Sequence, residues 1–183
     1  MNQNQQIMTE QDRNKIISWI NENNNESKIR NPNCNCEYFY FNNIYDIEIK
    51  NIISSIKNNI INIENLNENF ISYPYKLGDF IAIYKEGFKL HRHRDENDNG
   101  YYHIRFNAIV QNPIEGGIPI YNGKIQKGNE REYLLCRSGL DYHETTKVIG
   151  EKSRIVISFG FNIPTDKIEL YPNIFKNNFS CKT

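Results

Sequence analysis

No run of this sequence is apolar for long enough to cross a bilayer, which takes about 20 consecutive residues. A membrane span is therefore not expected. Charge of one sign is missing too: 22 Lys and Arg stand against 22 Asp and Glu, interspersed along the chain. Without a basic surplus there is no electrostatic footprint for nucleic acid or an anionic membrane surface, and nucleic acid is not a favoured partner. The four cysteines, Cys34, Cys36, Cys136 and Cys181, form no CxxC pair and no disulfide framework. They read as free thiols, and one intervening residue between Cys34 and Cys36 suits neither a zinc finger nor a redox loop. The polar opening MNQNQQIMTEQDR lacks the apolar segment of a signal peptide, so a soluble, intracellular protein is expected.

Asn and Ile each supply about one residue in six, well above ordinary usage. Thr9-Glu10-Gln11-Asp12 reads as a helix cap with an acidic first turn, and Ile16, Ile17, Trp19 and Ile20 follow at helical spacing. From Asp46, a second cap, Ile49, Ile52, Ile53, Ile56, Ile60 and Ile63 make an apolar stripe, expected to pack on a sheet. Between these helices, residues 37–41 suit a short strand.

After about residue 70 the pattern shortens. Strands are expected at 80–85, 88–94, 102–111, 118–121, 132–137, 146–149, 154–161 and 167–171, separated by Gly, Pro and Asn turns. The fold class expected is mainly β with N-terminal helices: a double-stranded β-helix, or jelly roll, packed against one or two helices. Residues 1–70 would form the helical and loop segment, 71–171 the catalytic core and 172–183 a polar tail, within one domain.

Chemistry concentrates in the second half. His93 and Asp95 lie two apart, hence on one face of an extended segment, and His143 follows about fifty residues later. Two imidazoles and a carboxylate make a three-ligand metal face with open positions, the pattern suited to non-haem Fe(II). Arg154 opens the apolar strand at 154–161 and shares a face with Val156 and Ser158. Its planar fork matches a carboxylate such as the distal end of 2-oxoglutarate, and the Ser158 hydroxyl could add a hydrogen bond. Arg105 and Asn107 share a face with His103 and are candidates for a substrate or supporting role; His91 is a third such residue. The loop Glu96-Asn97-Asp98-Asn99-Gly100-Tyr101 reads mainly as a solvated loop beside the site, and Gly116-Gly117 as a turn of close backbone approach narrowing the barrel mouth.

Together, Tyr84-Lys85-Glu86-Gly87, His93-Arg94-Asp95, Gly116-Gly117, His143 and Arg154 resemble the 2-oxoglutarate- and Fe(II)-dependent dioxygenases, particularly the prolyl-hydroxylase-like branch. The resemblance spans about residues 78–163. It implies Fe(II) on His93, Asp95 and His143, the distal carboxylate of 2-oxoglutarate on Arg154, and a co-substrate hydrogen bond from Tyr84. It also implies dioxygen as oxidant, succinate and carbon dioxide as products, and hydroxylation of a C–H bond in a peptidyl residue or free amino acid. Lys152 is the alternative clamp. Two other readings stay open: a cupin-like metal protein using His91, His93 and His143, and a non-catalytic jelly-roll binding module.

Overall fold

The computed structural model of the protein describes residues 5–29, 35–66 and 78–175. Cys34, Cys181, the expected boundary near residue 70 and most of the polar tail lie outside them. Helix α1 (Glu10–Glu22) begins with a reciprocal cap: Asp12 N donates to Thr9 Oγ1 at 3.0 Å and Thr9 N donates to the Asp12 carboxylate at 3.2 Å. Helix α2 (Ile47–Ile63) begins where Ile49 N donates to Asp46 Oδ1 at 3.0 Å. Helix α3 (Pro172–Phe175) is a single turn.

Eleven strands are described: β1 (Lys28–Ile29), β2 (Cys36–Tyr40), β3 (Phe80–Tyr84), β4 (Tyr101–Gln111), β5 (Glu115–Gly116), β6 (Pro119–Tyr121), β7 (Lys124–Ile125), β8 (Tyr133–Cys136), β9 (His143–Thr145), β10 (Val148–Ile149) and β11 (Arg154–Pro164). The large antiparallel sheet runs β1-β2-β3-β11-β4-β8. Two small antiparallel sheets, β10-β5 and β7-β6-β9, supply the other wall.

Alternation along the strands divides the large sheet into two chemically different faces. On one, Ile155, Ile157, Phe159 and Phe161 of β11 and Ile104, Phe106 and Ala108 of β4 join the main core with Ile16, Trp19 and Ile20 of α1 and Ile49, Ile52, Ile53, Ile56 and Ile60 of α2. The isoleucine stripe thus packs on the sheet, as its period requires. On the other face, Tyr38, Phe80, Ala82 and Val156 form a second cluster with Phe88 and Val148. Arg105, Asn107, Arg154 and Ser158 also project from this face, toward the small sheets.

Two expected strands are not strands. Residues 167–171 alternate polar and apolar, but Thr165–Leu170 form a 3-10 helix. β11 ends at Pro164 opposite Tyr101, the first residue of β4, so the chain beyond it has no ladder to continue. Residues 88–94 leave the Gly87 turn, whose φ of 84° favours glycine, and make only an isolated bridge at His93. A strand at 143–145, too polar to signal itself, takes the neighbouring place.

Ile60 is fully buried on α2 and Ile47, on the same helix, is 70% exposed. Ile60→Ala is expected to cost about 2–5 kcal/mol in urea unfolding, and Ile47→Ala to stay within about 0.5 kcal/mol.

Candidate metal centre

Two separated stretches meet along their backbones. Val148 N donates to Phe88 O at 2.9 Å, Thr145 N to Leu90 O at 3.1 Å and Asp95 N to Ser138 O at 2.8 Å. Between them His93 and His143 exchange both hydrogen bonds, at 3.1 and 2.8 Å. A doubly bonded antiparallel pair puts both side chains on one side of the ribbon, and the imidazole centroids lie 4.1 Å apart. Asp95 follows two residues on. Its Oδ1 is 3.5 Å from His93 Nε2 and 4.0 Å from His143 Nε2. One donor atom from each of the three residues lies within 4.8 Å of the others. An ion bonded at about 2.0–2.2 Å to each donor needs separations of this order.

The ring orientations suit a metal. Carbonyl oxygens of His91 and Asp141 lie 2.8 and 3.2 Å from Nδ1 of His93 and His143. Because a carbonyl can only accept, the neutral rings carry their proton on Nδ1 and turn the Nε2 lone pair toward Asp95. The turn before His143 is braced as well: Arg137 donates to the Asp141 carboxylate through Nε at 2.7 Å and Nη2 at 2.8 Å, and Asn122 donates to it at 2.7 Å. Burial alone would raise the Asp95 pKa, but the His93 hydrogen bond and the fields of His143, His103 and Arg105 bring it below the usual carboxylate range. Burial, then the neighbouring His93, lowers the His143 pKa. At neutral pH the site therefore offers a carboxylate and a neutral imidazole, the forms that bind a cation.

Behind Asp95 stands a polar residue the sequence did not single out as a site residue. His103 is fully buried, with Nε2 4.0 Å from Asp95 Oδ2 and Nδ1 3.1 Å from Asn162 Oδ1. Asn162 donates onward to Asp98 at 2.9 Å. Asn97 accepts from His103 N at 2.9 Å and donates to Gly139 O at 2.8 Å. The loop after the ligands is thus exposed but anchored by two of its own side chains. His103 shares its face with Arg105, and that parity was its only signal in the sequence.

A cavity of about 120 Å³ extends from the three ligands between the sheets. At its other end Arg154, 5% exposed, stands opposite Tyr84 on the neighbouring strand and near Tyr121. Among the described residues no carboxylate pairs with Arg154. Burial works to lower its pKa, and the two tyrosines oppose this. Burial also pushes the Tyr121 pKa far up, so this phenol, hydrogen-bonded to Asn107, keeps its proton. A Cβ at Gly117 would stand 3.4 Å from Arg154 Cδ, so the close approach expected at the glycine pair lies at the Arg154 end of the cavity. Lys152 points away, 3.1 Å from Glu130. Ser158, Arg105 and Asn107 line the cavity, whereas His91 is exposed and lies outside the three-residue cluster. Cys136 also lines it, but burial, then Asp95 and Asp141, pushes its thiol pKa up, leaving no thiolate ligand.

No known family matches the sequence, and no curated protein matches it either. Solved structures do. A prolyl-4-hydroxylase from Pseudomonas putida aligns with a TM-score of 0.66 at 10% identity, over 87% of this chain and 89% of its own. The viral collagen prolyl hydroxylase of Paramecium bursaria Chlorella virus-1, in its 2OG complex, aligns with a TM-score of 0.61 at 14% identity, over 87% and 92%. A prolyl hydroxylase from Trichoplax adhaerens, in complex with a hypoxia inducible factor peptide fragment, aligns with a TM-score of 0.61 at 13% identity, over 90% and 84%. The jelly-roll fold of these enzymes is the fold of this chain.

Burial, then Arg105, lowers the His103 pKa from the ordinary 6.5 to about 4. Between these values the unfolded chain takes up a proton that the folded one refuses, so stability falls as pH drops through that window. The metal-free protein is expected to lose roughly 3 kcal/mol to His103 on acidification from pH 7 to pH 4. His103→Gln should remove that part of the acid limb in urea titrations; an unchanged limb would show that His103 is not its source.

Proposed function

We propose that the protein is an Fe(II)- and 2-oxoglutarate-dependent dioxygenase that hydroxylates a C–H bond of a polypeptide residue. The observation that carries this reading is the pairing within one small cavity of a two-His, one-carboxylate cluster with a buried guanidinium at the opposite end. The cluster suits a divalent metal with positions left open, and the guanidinium suits the distal carboxylate of a 2-oxo diacid. Bound Fe(II) would supply oxidative decarboxylation of 2-oxoglutarate with dioxygen, yielding succinate, carbon dioxide and a hydroxylated product.

The protein's own residues would do the positioning. His93, Asp95 and His143 hold the metal on one face, and Arg154 with Tyr84 orients the co-substrate. Tyr121 and the apolar side chains Phe80, Leu90 and Val156 line the rest of the cavity and limit water. A polypeptide substrate is favoured because the similar structures described above are prolyl hydroxylases, one of them in complex with a peptide fragment. The cupin-like ligand set is disfavoured by the exposed His91, whose carbonyl is already engaged by His93. A non-catalytic module would have no need of three ligands held in metal-binding form. No described helix is long and apolar enough to cross a membrane.

The test is aerobic succinate formation from 2-oxoglutarate with added Fe(II), with and without proline-containing peptide libraries screened for an added oxygen. His93→Ala is expected to abolish turnover. Arg154→Ala should raise the KM for 2-oxoglutarate by about tenfold or more through loss of a charge-assisted pair, and Lys152→Ala should leave it unchanged. The reverse ranking would reassign the clamp, and absence of metal-dependent turnover together with absence of anaerobic 2-oxoglutarate binding would end the dioxygenase reading.

A further inference from the structure

The cavity holds a second guanidinium for which the proposed function names no task. Arg105 of β4 is 6% exposed and stands directly opposite Gly160 of β11. Gly160 makes room for it: a Cβ there would lie 3.4 Å from Arg105 Nη2 and 3.2 Å from His103 Cε1. Arg105 Nη1 donates to Ser158 Oγ at 3.1 Å, Gly78 O lies 3.4 Å from both terminal nitrogens, and Cζ sits 4.8 Å from the centre of the Phe80 ring. These contacts fix the guanidinium in the cavity wall.

The two arginines occupy different ends. Arg105 Nη2 and His103 Cε1 both lie against Gly160, and His103 Nε2 is 4.0 Å from Asp95 Oδ2, which puts Arg105 at the metal-binding end. Arg154 lies among Tyr84, Tyr121 and Gly117. On β11 the Ser158 that anchors Arg105 is four residues from Arg154, about 13 Å at the usual rise. One cavity of about 120 Å³ is lined by both guanidiniums and by the three metal-binding side chains. Because both arginines line the one cavity, a ligand that meets both must carry an anionic group at each end.

Resting on the dioxygenase reading, we propose that Arg105 binds the carboxylate adjacent to the oxo group of the 2-oxo acid, while Arg154 binds the distal one. The site then selects a dicarboxylic 2-oxo acid by a guanidinium at each end. Loss of either arginine should have a distinct signature, because only one of the two carboxylates is common to all 2-oxo acids. Pyruvate keeps the oxo-acid head and lacks the distal carboxylate, which makes it the discriminating probe.

The experiment is anaerobic calorimetry with the Mn(II)-loaded protein, titrating 2-oxoglutarate and, separately, pyruvate. Arg105→Gln is expected to weaken both acids by about tenfold or more. Arg154→Gln should weaken 2-oxoglutarate to a similar degree and leave pyruvate within about twofold of wild type. Arg105→Lys, which retains the charge but not the planar fork, should fall between wild type and Arg105→Gln, and provides a test should the glutamine variant unfold. Each titration is run at saturating Mn(II), so that a change of metal affinity on removing the Arg105 charge near Asp95 does not enter the acid affinities. If wild type binds both acids and Arg105→Gln binds them equally well, the assignment of Arg105 is wrong while the dioxygenase reading stands. If wild type binds neither acid, both fall together.

Discussion

The site depends on a pair of backbone hydrogen bonds. His93 and His143 are fifty residues apart in sequence, and each donates its amide to the other's carbonyl. This pairing fixes the relative height and direction of the two imidazoles, and with Asp95 two residues along, all three donors converge from one side. The arrangement gives a metal a preformed face. It also makes the face sensitive to anything that separates the two stretches, since His143 is backed by the β6–β9 ladder but the His93 stretch is held by single backbone hydrogen bonds.

Behind that bridge the large sheet separates two kinds of chemistry by alternation alone. β11 sends Ile155, Ile157, Phe159 and Phe161 into the helix-covered core, and sends Arg154, Val156 and Ser158 into the cavity. The apolar side supplies the burial that holds β4 and β11 rigid. The cavity side can then carry two nearly buried guanidiniums, a buried histidine and a buried asparagine, each of which would be costly in an unanchored strand. His103, Asn162, Asn97 and Asp98 form a hydrogen-bonded chain that ties the loop after Asp95 to the end of this sheet. The loop's polar composition therefore reflects anchoring as well as solvation.

Much of this was legible in the sequence, for identifiable reasons. The isoleucines of α2 repeat at helical spacing, and β11 alternates strictly, so each element declared its own buried face. His93, Asp95 and Arg154 stood at offsets that parity could interpret. What parity cannot supply is the identity of a strand's neighbour. The His93 to His143 bridge was hidden because residues 88–94 form no regular strand and His143–Thr145 is short and polar. The same limit explains the strand expected at 167–171: its alternation is genuine, but no partner extends past Tyr101 to receive it. Arg154 and Lys152 share parity, and only the fold shows one lining the cavity and the other beside Glu130.

His93, Asp95 and His143 are proposed to act as one metal face with adjacent positions open to a 2-oxo acid. The most direct measurement is an anaerobic Fe(II) titration with 2-oxoglutarate present, followed through the visible charge-transfer absorption of an oxo-acid chelate. The band is expected to saturate at one Fe(II) per chain and to disappear in His143→Ala. A band of equal strength in that variant, or none in the wild type, would contradict this assignment.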